Sequence, residues 1–170
     1  QITTTKGTEL DAQDWLEFYT LYKRTYLKRS GHTGYLNDEC FKLIGQALPM
    51  QTLLVRAYQS APEGISEQQI PIAAALYFYD NHTLYGRYWG ATCELDGLHF
   101  ECCYYRGIEF AINEGLTRFD PGAQGEHKIA RGFTPILTQS YHYLSHPEFN
   151  QAITPFLKEE AQHIDSYCQE

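Results

Sequence analysis

Apolar positions along the chain recur with two different periods, and the changes of period divide it into elements. The rings of Trp15, Phe18, Tyr19, Tyr22 and Tyr26 return every three or four residues, which predicts a helix with one buried face. Asp11 stands where an N-cap is needed, and Gly31 where the helix should stop. A second helix is expected behind Asn37, with Asp38 and Glu39 at the positive end of its dipole, Cys40, Phe41, Ile44 and Leu48 facing inward, and Pro49 ending it. A membrane-surface role is the functional rival for the first helix. Its polar face mixes Glu17 with Lys23, Arg24, Lys28 and Arg29, which favours packing on a core.

The period then drops to two. Residues 52–58 are β-branched and apolar and open the predicted sheet, followed by a polar connection carrying Pro62 and Gly64. Residues 70–79 and 83–89 flank Asp80, Asn81 and His82 and predict an antiparallel hairpin. Strict alternation places Tyr85, Arg87 and Trp89 on one face of its second strand, against Leu84, Gly86 and Tyr88. After a loop from Gly90 to Gly97, Cys102, Tyr105, Ile112 and Leu116 keep helical phase up to a stop at Gly115. A short strand at 118–120 runs into Pro121 and Gly122, and 135–144 is expected to be another strand with Tyr141 and Tyr143 on one face. Ser145 and Glu148 form a capping box for a terminal helix. Phe149, Ile153, Phe156, Ala161 and Ile164 stay in phase along it, with a kink or break at Pro155 and Thr154 as a fresh cap. This order of elements is that of an α/β or α+β layered domain without internal repeats.

At 170 residues, the chain is long enough for one domain to bury its own core. Fourteen tyrosines and nine phenylalanines either fill that core or line a cleft. The net charge of −8 opposes sequence-independent binding to nucleic acid or anionic membrane, which needs clustered cations. Five cysteines, an odd number without a CxxC pair, suggest neither a disulfide framework nor zinc and point to a reducing compartment. His142 and His146 are four apart, but a strand end and a helix start separate them, so no metal is expected. No apolar run reaches the length of a membrane span and QITTTKGTEL lacks the parts of a secretory signal, so a soluble, cytoplasmic protein is expected.

The densest chemistry lies in residues 119–133, FDPGAQGEHKIARGF. Glu126, His127, Lys128 and Arg131 stand there among glycines that let backbone approach a ligand. A solvated surface turn is the alternative. Arg87, between large rings, either grips an anion or stacks as a cation–π pair. His99 and Glu101 are either an acid and base pair or ordinary polar residues of a helix start. Adjacent Cys102 and Cys103 are expected to pack as small apolar groups rather than act as nucleophiles.

Three segments, YGRYWG (85–90), LHFECCYYRGIEFAI (98–112) and RFDPGAQGEHKIARGF (118–133), together resemble the FemAB-like peptidoglycan biosynthesis/recognition proteins, a branch of the GNAT acyltransferase superfamily. WLEFYTLYKRTYLKRSG and TLLVRAY also resemble the carboxyl-terminal half of that family, whose members are usually longer, so a fragment is expected. The resemblance implies a GNAT-like fold: a mixed, mostly antiparallel sheet flanked by helices, with donor and acceptor meeting where two central strands splay. It implies acyl or aminoacyl transfer to an amine, with charged tRNA or acyl-coenzyme A as donor and a muropeptide-like or other small molecule as acceptor. Coenzyme A members carry spaced glycines for pyrophosphate before the helix, whereas GATCELDG here brings Glu94 and Asp96, which would repel it.

The leading expectation is therefore a transferase in which Glu126 or His127 takes a proton from the attacking amine and Lys128 stabilises the oxyanion. Arg87 and Arg131 would hold an anionic part of the substrate, with Tyr85, Trp89, His99, Glu101, Gln124 and Gly125 completing the binding surface. The rivals are an acyl-coenzyme A-dependent N-acyltransferase, a non-catalytic binding module for a cell-wall precursor or protein on the same scaffold, and a fragment that forms a homodimer through exposed apolar surface.

Overall fold

Four consecutive residues with high strand propensity, Ile2, Thr3, Thr4 and Thr5, form the edge strand β1 (Ile2–Lys6). The sheet therefore begins before the first helix, and not at Thr52 as the pattern of later segments suggested. The computed structural model describes residues 1–59, 70–123 and 125–167; the connection with Pro62 and Gly64, Gln124 and Cys168 lie outside these. They divide into two compact units, Gln1–Ala123 and Gln124–Glu170.

In the first unit, β2 (Thr52–Tyr58), β3 (Pro71–Tyr79), β4 (Thr83–Ala91) and β5 (Arg118–Asp120) join β1 in a sheet of order β1-β2-β3-β4-β5. All neighbours are antiparallel except β4 and β5, which are parallel. Alternation gives the sheet two apolar faces. On one, Leu54, Ala74 and Leu76 pack against Trp15, Phe18, Leu21 and Tyr22 of α1 (Ala12–Ser30) and Phe41 of α2 (Asp38–Ala47). On the other, Leu53, Val55, Ala73, Ala75, Tyr77 and Leu84 pack against Cys102, Phe110 and Ala111 of α3, residues 98–113.

Local chemistry sets the element ends. Asp11 accepts from Gln13 N and Asp14 N in a capping box with Asp14, Gly31 closes α1 in the left-handed region, and Asn37 accepts from Cys40 N. The predicted hairpin is present: Asp80 Oδ1 accepts from the backbone of His82 and Thr83, both at 2.7 Å. Gly90 belongs to β4 rather than to the following loop. A Cβ there would collide with the main chain of Leu21 and Tyr22, so the missing side chain lets α1 lie directly on the strand.

Two irregularities displace side chains from the positions that simple periods predict. A bulge in β4 leaves Arg87 without a partner in β3: Tyr77 faces Gly86 and Leu76 faces Tyr88. Tyr85 and Tyr88 consequently share the sheet face of α1 while Trp89 joins the opposite face, so Tyr85, Arg87 and Trp89 do not lie together. In α3, residues 101–105 form a π turn. The wider turn breaks the expected phase: Tyr104 is buried in place of Tyr105, and Ile112 is 73% exposed.

The second unit contains a short 3₁₀ helix at Glu126–Arg131 and α4 (Pro147–Tyr167). Residues 135–144 form no strand, and no backbone hydrogen bond to another described residue pairs them. Pro155 lies inside a continuous α4, so it does not break the helix. Thr154 there donates its hydroxyl to Asn150 O at 2.7 Å instead of capping a new segment.

Candidate active site

β4 and β5 pair only at Thr83–Arg118, Leu84–Phe119 and Tyr85–Asp120. Beyond that point β4 continues to Ala91, while the other chain turns away through Pro121 and Gly122. Asp120 Oδ1 accepts from Gly122 N at 2.9 Å, and Gly122 has φ 82°, a backbone that a side chain would strain. Among the described residues, positions 86–91 thus have no strand partner on the β5 side. The strands part at the bulge.

A cavity of about 110 Å³ occupies this divergence. Ala75, Leu76 and Tyr77 of β3 and residues 86–89 of β4 line it from the sheet, His99, Cys103 and Tyr104 from α3, and Pro121 from the turn after β5. Gly86 keeps it open: a Cβ there would reach ordinary contact with Pro121 Cα at 3.5 Å and the Phe119 ring at 3.6 Å, and anything larger would enter the space. The aromatic wall is self-supporting, with Trp89 edge-on to His99 at 5.2 Å and His99 edge-on to Tyr104 at 5.5 Å. The π turn that sets this wall is anchored from the sheet, where the buried Tyr77 hydroxyl donates to Cys102 O.

Of the candidates in this unit, Arg87, Trp89 and His99 line the cavity. Arg87 is exposed, its guanidinium 5.7 Å from the centre of the Tyr88 ring. Tyr85 is turned to the hairpin, its hydroxyl donating to Asp80 Oδ2 at 3.0 Å, and Glu101 is ion-paired with Arg106 Nε at 2.9 Å. Sequence periods missed Tyr77, Gly86, Cys103, Tyr104 and Pro121. The available signal was Gly86, since a glycine inside a strand marks a bulge or a close approach.

The electrostatics exclude one chemistry and soften another. Burial, reinforced by Glu101, pushes the Cys102 thiol up to about 11, so it stays protonated and does not act as a nucleophile. In the loop after β4, Glu94 is held by Lys28 of α1 at 2.5 Å, which lowers its carboxyl below the usual value. Its charge is therefore not the uncompensated anion that GATCELDG suggests.

In the second unit, Glu126 and His127 are exposed and Lys128 is buried. Gly125 has φ 104°, a backbone that a side chain would strain, and a Cβ on it would also displace the exposed His127 ring. Arg131 Nη1 donates to His127 O at 2.6 Å, and Lys128 is tied at both ends of its peptide, N to Gly125 O at 3.0 Å and O to Phe133 N at 3.2 Å. The segment from Gly125 to Phe133 is thus a built turn that fixes the order of its charges. Gln124 lies outside the described residues.

Solved structures with the same fold include a possible acetyltransferase from Clostridium difficile 630, with TM-score 0.55, 10% identity, 85% of this chain and 98% of that chain covered. A Trypanosoma brucei acetyltransferase aligns with TM-score 0.56 and 11% identity over 85% of this chain and all (100%) of that one. An aminoglycoside N-acetyltransferase in complex with coenzyme A aligns with TM-score 0.52 and 10% identity over 86% and 95%. The fold is that of the GNAT acyltransferases. No curated protein matches the chain in sequence. Residues 1–170 match the model of the FemAB-like peptidoglycan biosynthesis/recognition family, and the chain belongs to that family.

Proposed function

We propose that the chain is an acyl or aminoacyl transferase acting on an amine of a peptidoglycan precursor, with the donor's reacting carbonyl in the cavity where β4 leaves β5. The observation that carries this is the cavity's size and position. At about 110 Å³ it is well below the roughly 300–1,000 Å³ of sites that enclose a whole ligand. It suits a short acyl or single aminoacyl group, with the rest of the donor outside. Ala91 N is already committed to Thr25 Oγ1 at 2.9 Å, which leaves the strand between Gly86 and Gly90 as the stretch of β4 whose backbone N–H groups can face a developing oxyanion.

The remaining roles follow from residue chemistry. Within the turn of the second unit, residue chemistry makes Glu126 or His127 the candidate base for the attacking amine, Lys128 the candidate cation for an oxyanion and Arg131 a candidate holder of an anionic group, while Arg87 at the cavity of the first unit would hold an anionic part of a substrate. A positioned base is worth about 10²- to 10⁴-fold, and an oxyanion donor about 10²- to 10³-fold. Charged tRNA and acyl-coenzyme A both present an activated carbonyl. Charged tRNA is one candidate donor, by the resemblance to Fem-type transferases, and the Lys28–Glu94 pair keeps acyl-coenzyme A as the other.

A thermal-shift titration with acetyl-coenzyme A, coenzyme A and a nucleotide-linked muropeptide tests the binding half, because a ligand of the folded state raises the melting point. A saturable rise with the muropeptide supports the proposal. A rise with the coenzymes alone transfers it to acyl-coenzyme A chemistry, and no rise with any of the three contradicts it. Unchanged transfer rates in Glu126→Ala, His127→Ala and Lys128→Ala would remove those residues from the mechanism.

A further inference from the structure

The loop between α1 and α2 carries aromatic rings at the surface on a backbone that is fixed from beneath. The buried Tyr22 hydroxyl accepts from Tyr35 N at 3.0 Å and Leu36 N at 3.4 Å. Gly34, at φ 93°, lies so close to the Tyr22 ring that a Cβ there would overlap it. His32 Nδ1 accepts from Gly34 N at 3.1 Å, which puts the imidazole proton on Nε2 as a donor. Tyr26, His32 and Tyr35 contact one another, with ring centres 5.6 Å apart for Tyr26 and His32, 5.9 Å for Tyr26 and Tyr35 and 5.1 Å for His32 and Tyr35. Tyr35 is nevertheless 83% exposed, and Tyr26 and His32 are half-buried. Tyr88 of β4 links this cluster to the cavity: its ring is edge-on to Tyr22 at 5.6 Å, and it lines the cavity wall. Arg87 stands by the Tyr88 ring and, among the described residues, takes part in no ion pair. Burial pushes the Tyr26 phenol above its ordinary value, and the nearby phenols of Tyr22, Tyr88 and Tyr35 push it the same way, so it stays protonated and can donate.

We propose that Tyr26, His32, Tyr35 and Tyr88 form a ledge that binds a pyranose ring of the acceptor, with Arg87 beside it on an anionic substituent of that ring. The ledge's place as the acceptor side rests on the reading of the neighbouring cavity as the acyl site; its ligand chemistry does not. The face of the exposed Tyr35 ring carries the negative side of the aromatic quadrupole, which complements the C–H face of a sugar. Phenolic hydroxyls both donate and accept, as sugar hydroxyls do, so each can pair whichever way the sugar requires. A nucleobase would be served less well. Its stacking surface calls for parallel rings, whereas Tyr26, His32 and Tyr35 stand at 49°, 85° and 60° to one another and leave no slot. Because the loop is already held by Tyr22, binding has little backbone to order, which keeps the entropic cost low.

Saturation-transfer NMR of the whole chain tests this with three probes: N-acetylglucosamine, N-acetylmuramic acid, which adds a carboxylate to the same ring, and uridine diphosphate. Saturation should pass from the protein's aromatic protons to the ring C–H protons of both sugars, with the acid binding the more tightly. Tyr35→Ala should raise the dissociation constant of both sugars at least about fivefold, Tyr35→Phe should keep the transfer to the C–H face, and Arg87→Gln should abolish the advantage of the acid. Tyr105→Ala, at a ring 46% exposed on α3, should leave binding unchanged. A matching circular dichroism melt checks each variant's fold. Sugars without saturable transfer overturn the proposal. So do sugar binding that ignores Tyr35→Ala or falls equally in Tyr105→Ala, an acid that keeps its advantage in Arg87→Gln, and Tyr35-dependent binding of uridine diphosphate without the sugars. No donor is present in this measurement, so a protein that binds the sugars in this way and transfers nothing fails the reading of the cavity and not this one.

Discussion

Replacing Gly90 with Ala perturbs the seat of α1 on the sheet while adding a single methyl group. The new Cβ would stand 2.7 Å from Leu21 O and closer still to the neighbouring main-chain atoms of Leu21 and Tyr22. Because the obstacle is backbone, no rotamer change relieves it, and α1 must move away from β4. Overpacking of this kind costs about 1–3 kcal/mol, here at the upper end. Loss of glycine's freedom in the unfolded chain returns about 0.4–1 kcal/mol, leaving a net loss of about 2 kcal/mol. For a chain of this size that corresponds to a fall in Tm of about 4–8 °C. The displacement also pulls on the bond from Ala91 N to Thr25 Oγ1 and on the strand carrying Arg87 and Trp89, so ligand-induced stabilisation should fall with Tm. Thermal unfolding followed by circular dichroism reads the first effect, and the same melt with ligand reads the second. Gly31→Ala is the control: its Cβ meets nothing within 4 Å, and only its φ of 70° is unfavourable, at about 1–2 kcal/mol. An unchanged or raised Tm for Gly90→Ala would refute close packing of α1 on β4.

Three further perturbations test separate parts of the structure. Tyr77→Phe strands the Cys102 carbonyl in the core and should cost about 1–3 kcal/mol in urea unfolding, with the cavity wall loosened because the π turn loses its anchor. Asp80 is held below its ordinary carboxyl range by backbone donors from His82 and Thr83. Its contribution to stability is complete above the unfolded value of 3.8 and lost as pH falls through the lower folded value. Asp80→Asn should accordingly flatten the acid limb of the stability profile below about pH 4. Cys102, pushed up to about 11 by burial, should resist iodoacetamide at pH 8 while exposed Cys93 is alkylated, as peptide mass spectrometry would show. Equal labelling of the two in the folded protein would contradict the burial of Cys102.

Most of the layered fold was legible because its signals are local. Asp11 and Gly31 bracket α1, Asn37 opens α2, and the Asp80 turn sets the hairpin; each acts through the few residues next to it. The losses came where a non-local contact or an irregular turn resets the period. One extra residue at Arg87 moves Trp89 to the other side of the sheet, and the π turn at 101–105, held by Tyr77 from β3, exchanges Tyr104 for Tyr105. Neither event has a signature in hydrophobic spacing. β1 was overlooked because its threonines are polar, although β-branching was the usable sign. Residues 135–144 carry a strand-like pattern but have no strand partner among the described residues, and propensity without pairing does not make a sheet. In the candidate site, the aromatic and charged positions Arg87, Trp89 and His99 were legible by residue type, whereas Gly86 and Pro121 matter for the space they leave.

Transfer itself is the most direct test of the central claim that the cavity at the divergence of β4 and β5 holds the reacting acyl group. The measurement is single-turnover transfer of a labelled aminoacyl group from charged tRNA to a nucleotide-linked muropeptide, with acetyl-coenzyme A as the alternative donor, in the natural protein and in Gly86→Leu, whose side chain would fill the cavity. The account predicts transfer by the natural protein and a loss of at least about 10²-fold in the folded variant, the scale of a lost oxyanion contact. Absence of transfer from either donor, or equal rates in the two proteins, would contradict it.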